Sequence, residues 1–139
     1  IFNKEKKENS NNKSILIAAL LIHAAKIDEN YTDIEKKIIK KALVNLKNIS
    51  SDQAEKLIKH AENIEEKSNQ IVEFTREIKK YPMEFRLKII EIIWKIVYSD
   101  GTSDSYESNL IRRICGLLYV TSKDSGIIRT KVQNLLNKK

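Results

Sequence analysis

One cysteine, one proline and three glycines are the only interruptions of their kind in a chain of 139 residues. Cys115 has no partner for an internal disulfide, so the core must hold without staples, and the scarcity of cysteine leans toward a reducing compartment. Three glycines leave no glycine-rich phosphate loop. No segment alternates apolar and polar residues as a strand does. No apolar run approaches the roughly 18 to 20 residues that span a bilayer. Residues 15–22 are too short for that, and the helical pattern continuing through them does not fit a signal peptide.

What is present is the composition of an ordinary globular domain: 41% hydrophobic and 32% charged residues, in a chain long enough for one core. The formal charge of +7 raises the question of polyphosphates and anionic lipid. Most of the cations are lysines on solvent-facing helix positions, and isoleucine and asparagine are abundant with them, as an AT-rich coding sequence would produce. A solvated basic surface is the reading this supports. Arg86, Arg112, Arg113 and Arg129 could form a patch, but aromatics are not interleaved with them as a stacking surface for nucleic acid requires.

Residues 1–13 are polar and without periodicity, and read as a disordered arm; Ile1 and Phe2 read as a frayed end, and an opening on Ile1 rather than Met is consistent with chain upstream. One domain over residues 14–139 is expected to follow. Ile15, Leu16, Ala18, Ala19, Leu21, Ile22 and Ala25 are apolar nearly all round, the pattern of a buried central helix. Thr32 to Glu35 spells a capping box that opens a second helix to about Leu46. Ser50 to Gln53 spells another, opening a third through about Glu66 with Leu57, Ile58, Ala61 and Ile64 inward. A fourth is expected over residues 69–80. Pro82 suits the first turn of a strongly apolar fifth helix, which contains Trp94. Asp104 to Glu107 caps a sixth and Ser122 to Ser125 opens a seventh, to about Leu136. The expected fold is all-α: two pseudo-symmetric three-helix units joined by a linking helix, with the first and fifth helices packed at the centre.

Two acidic turns carry the candidate chemistry. Asp28 and Asp100 stand 72 residues apart, as do Glu35 and Glu107. Asp28, Glu35, Asp100, Asp104 and Glu107 offer carboxylate oxygens, and Asn30, Thr32 and Thr102 neutral ones, the donor type that Ca²⁺ or Mg²⁺ prefers. Zinc fits poorly, since His23, His60 and Cys115 lie at no ligand spacing. Neither turn is an EF-hand loop, which needs glycine sixth and glutamate twelfth where these have Asp33 and Ile39, then Ser105 and Ile111. The same acids also have a purely structural reading: Glu35 and Glu107 as closing members of capping boxes at positive helix ends, Asp28 and Asp100 as turn residues. Capping alone would not repeat the first aspartate, yet both readings stand at this point.

An apolar helix ending in Asp-Gly, then a few polar residues and a glutamate opening an amphipathic helix, resembles the tellurite-resistance protein B (TerB) family. The best match is Ile96 to Glu107 and on to Leu118, and the likeness extends over residues 14–137. In the first copy Glu29 stands where the second has Gly101. The resemblance implies a seven-helix pseudo-symmetric fold, divalent metal at the acidic turns, and a non-enzymatic role in tellurite and other chemical stress. It also implies assembly with protein partners, some at a membrane. A cytoplasmic protein able to associate with the inner face of the membrane is therefore expected, with no organic cofactor. The alternative is a basic helical scaffold that contacts nucleic acid or anionic membrane without metal.

Nucleophilic catalysis lacks its parts. His23 falls within the most apolar helix as a packing residue, His60 reads as solvent-facing, and Cys115 lies on the buried stripe of the sixth helix.

Overall fold

The computed structural model describes the backbone of residues 2–27, 31–68, 70–100 and 105–137, and the side chains of these residues apart from 2–12, 100, 105–108 and 137. Seven α-helices result: α1 (Phe2–Ala25), α2 (Asp33–Lys47), α3 (Ser51–Lys67), α4 (Ile71–Ile78), α5 (Met83–Val97), α6 (Ser105–Leu117) and α7 (Ser122–Asn137). A single 3₁₀ turn, Tyr98–Asp100, follows α5. Strands are absent among the described residues.

From Ile15 to Ala25, α1 is buried on every side: Ile17, Ala18, Ala19, Leu20, Leu21 and Ile22 are consecutive and all lose their solvent. A helix without a polar face must be enclosed by others, and α1 packs against α2, α3, α4 and α5. The second apolar helix, α5, packs against α1, α2, α6 and α7 and buries Ile89, Ile90, Ile93, Ile96 and Val97. The two most apolar helices are thus in contact with each other, and each gathers neighbours of its own.

The backbone of α1 begins at Phe2, within the stretch expected as an arm. Glutamate and lysine are good helix formers, and once the buried segment has nucleated the helix each further residue is added at little cost. Exposed Lys13 followed by buried Ser14 marks the edge of the core.

Local chemistry sets the helix ends. Ser50 and Gln53 close their reciprocal box, with Gln53 N–H donating to Ser50 Oγ at 3.1 Å and Ser50 N–H to Gln53 Oε1 at 2.9 Å. Expected over residues 69–80, α4 stops at Ile78 in a tight turn, where Tyr81 N–H returns to the Ile78 carbonyl at 3.0 Å. The proline that follows Tyr81 disfavours helical backbone there. Pro82 itself is the cap of α5 rather than part of its first turn: its backbone is extended and its carbonyl accepts from the N–H groups of Phe85 and Arg86. At α7 the cap is Thr121, one residue before the expected start, with Asp124 N–H donating to Thr121 Oγ1 at 3.1 Å. The box expected over Asp104 to Glu107 lies outside the described residues.

Left-handed residues follow α2 and α6: Asn48 (φ 54°) and Tyr119 (φ 57°). At the second of these, Val120 N–H donates to the Cys115 carbonyl at 2.9 Å and Tyr119 N–H to that of Gly116 at 3.4 Å. That is the Schellman pattern, with tyrosine where glycine is usual.

Candidate functional site

The first acidic turn brings the end of α1, the start of α2 and the last turns of α3 together. Of its predicted ligands, Glu35 is described, and it is 5% exposed. Its carboxylate accepts from Thr32 N–H at 2.8 Å and from the Thr32 hydroxyl at 3.0 Å, while Glu35 N–H donates to Thr32 Oγ1 at 3.1 Å. The capping box read from the sequence is therefore present. Asp28 and Asn30 lie outside the described residues.

Beside Glu35 the structure adds residues that the sequence reading left out. Glu65, on α3, is 4% exposed; its Oε2 accepts from Lys26 Nζ at 2.7 Å and its Oε1 from His23 Nδ1 at 3.2 Å. The Glu65 hydrogen bond holds the Lys26 ammonium above its ordinary pKa. Charge-assisted contacts are what permit a carboxylate at such burial. His23 also packs against Phe74 at 6.2 Å between ring centres, in keeping with a packing histidine, and His60 is exposed. The Tyr31 hydroxyl is buried and has no hydrogen-bond partner among the described residues. Burial, followed by the nearby carboxylates of Glu62, Glu35 and Glu65, pushes its ionisation up. Lys36 covers its ring at 4.8 Å from the centroid.

A signal for Glu65 existed in the sequence. Ala54, Ile58, Ala61 and Glu65 form the buried stripe of α3 at helical spacing, so the carboxylate occupies a position that the pattern reserves for an apolar residue. Tyr31 had no such signal, because its burial depends on where the turn lays it.

The second turn is built differently. Tyr98 stacks on Trp94, with ring centres 5.6 Å apart and planes 17° from parallel. Its hydroxyl accepts from Arg129 Nε at 2.6 Å and Gln133 Nε2 at 3.0 Å, both on α7. Ser99 Oγ donates back to the Ile96 carbonyl at 2.7 Å. Asp104 and Thr102 lie outside the described residues, as do the side chains of Asp100 and Glu107. Among the described residues, no three or more histidine, cysteine or acidic side chains are grouped so as to hold a metal ion. Nor is any helix among them long and apolar enough to cross a membrane.

Comparison with known proteins adds one match. The family model described as Tellurite resistance protein TerB covers residues 14–130. No curated protein and no solved structure matches the chain.

Proposed function

We propose a function from one premise: the chain belongs to the TerB family. Its members are non-enzymatic stress-response domains, and the chain is one of them. Our reading is that it binds a divalent cation, Ca²⁺ or Mg²⁺, at the acidic turns through Asp28, Glu35, Asp100, Asp104 and Glu107, and that it acts by recruiting a protein partner. The role would lie in chemical stress, tellurite included, in the cytoplasm or at the inner face of the membrane.

The observation that carries the metal reading is the set of groups around the first turn. Glu35 is buried at the first turn, and the carboxylates of Glu62 and Glu65 lie near enough to act with it on Tyr31. Carboxylate oxygens are the donors that a hard cation prefers. The partner reading draws on apolar side chains left in solvent on α7, Ile127, Leu135 and Leu136.

Duplication belongs to the same proposal. Ala25 and Val97, which end α1 and α5, are 72 residues apart, as are Asp33 and Ser105, which begin α2 and α6. The left-handed pair Asn48 and Tyr119 is 71 apart, so one residue is lost within the second unit. As α1 packs on α2 and α3, so α5 packs on α6 and α7.

Thermal unfolding in a calcium or magnesium series tests the cation. A ligand that binds only the native state raises the melting temperature with its concentration, and Glu35→Gln or Asp100→Asn should blunt the rise. A melting temperature indifferent to millimolar concentrations of both ions would reject the proposal.

A further inference from the structure

Beside the second acidic turn, α5, α6 and α7 line a cleft of about 270 Å³ that opens to solvent. Trp94, Cys115 and Val120 give it an apolar floor, Ser122 and Ser125 contribute hydroxyls, and Arg112 and Arg129 stand in its wall. Among the described residues, no aspartate or glutamate lines it. The floor is fixed: Trp94 Nε1–H donates to Ser125 Oγ at 3.2 Å, so the indole cannot swing into the space. Burial pushes the Cys115 thiol up, which makes it an inert wall rather than a nucleophile.

Among the described residues, neither arginine has a carboxylate partner. Arg129 donates through Nε to the neutral Tyr98 hydroxyl, and its guanidinium lies 5.2 Å from the Trp94 ring centre. Among the described residues, Arg112, which is exposed, makes no hydrogen bond or ion pair. Nearby, the carboxylate of Glu91 is taken by Lys131 at 2.8 Å and approached by Lys95 at 3.8 Å, which leaves it to neither arginine. Two unneutralised guanidiniums beside a partly apolar cavity favour an anion with an apolar body, because guanidinium recognises carboxylate in a planar fork and the floor has nothing polar to offer a bare oxyanion.

We propose that this cavity binds a small organic carboxylate, with its carboxylate between Arg112 and Arg129 and its apolar body against Trp94 and Val120. The site adjoins the second acidic turn through Trp94 and Arg129, which also hold Tyr98, and it uses none of the residues named for the cation. Gly116 and Gly126 on its rim show why the space exists: a Cβ added to either meets no atom within 4 Å.

Trp94 is the chain's single tryptophan, so its fluorescence reports on the cavity without a label. The full chain is titrated with cyclohexanecarboxylate, with the neutral cyclohexanecarboxamide and with inorganic phosphate. Saturable quenching or enhancement by the carboxylate is expected, with affinity about tenfold weaker in Arg112→Gln, since one charge-assisted contact is lost. Because Arg112 has no partner to lose among the described residues, that variant should melt at the wild-type temperature. Gly126→Leu, which places a side chain in the open space, should abolish the response. No saturable response, equal binding of the carboxamide, tighter binding of phosphate, or an Arg112→Gln affinity equal to wild type would each overturn the proposal.

Discussion

Lys26 and Glu65, from segments far apart in the chain, meet at 2.7 Å, although Glu65 is almost wholly buried and Lys26 keeps about a third of its side chain (32%) in solvent. The exposures make the pair asymmetric. Freed from its partner, Lys26 can turn to water; Glu65 cannot. Lys26→Ala should therefore destabilise the fold by about 2 to 3 kcal/mol, because it strands a buried carboxylate with His23 alone. Glu65→Gln keeps the volume and an acceptor for Lys26 and should cost about 1 kcal/mol. Urea unfolding of the two variants checks the order, and a larger loss in Glu65→Gln would contradict this account.

Stability should fall on the alkaline side, and the sign follows from three groups. Cys115, Tyr31 and Lys26 are all raised above their ordinary values of 9.0, 10.0 and 10.5. The unfolded chain then releases each proton before the native one does, so the native state binds more protons and rising pH favours unfolding. Their contribution is whole below pH 9 and declines in steps above it. Tyr31→Phe should remove much of the loss above pH 10. At neutral pH it should add about 1 kcal/mol, because a buried hydroxyl without a partner among the described residues is replaced by hydrogen. Melting temperatures between pH 7 and 11 give both results from one set of samples.

Tyr119 holds a left-handed conformation (φ 57°) while 66% exposed, so little packing offsets its backbone cost. Tyr119→Gly should stabilise the chain by about 1 kcal/mol, seen as a later midpoint in chemical denaturation at an unchanged slope. A destabilised variant would mean that the ring makes contacts worth more than the strain.

The helices were legible because each carries its own local signal. Ile15 to Ala25 can only be enclosed, and Thr32 with Glu35 or Ser50 with Gln53 spell reciprocal caps in four letters. The errors fall where a local signal competes with a neighbour. Ser122 looks like a cap, but Thr121 before it takes the role. The site was less legible for a different reason. Its residues meet only in three dimensions: Glu65 crosses to Lys26, and the buried hydroxyl of Tyr31 follows from the path of the turn. The duplicated spacing that drew attention to Asp28 and Asp100 carries no information about their surroundings. Those surroundings differ, since an ion-pair cluster beside the first turn has a stacked Trp94 and Tyr98 as its counterpart beside the second.

The helix that ends the chain has the least to hold it. Among its described side chains α7 buries only Ser125 and Val132, and it packs chiefly on α5 with a lighter touch on α6, whereas α1 is enclosed by four helices. Opening should therefore begin at this end and spread inward, with amide protons of α7 exchanging well before those of α1. Because Ser125 and Arg129 tie this helix to Trp94 and Tyr98, the solvent exposure of the indole should follow the opening of α7.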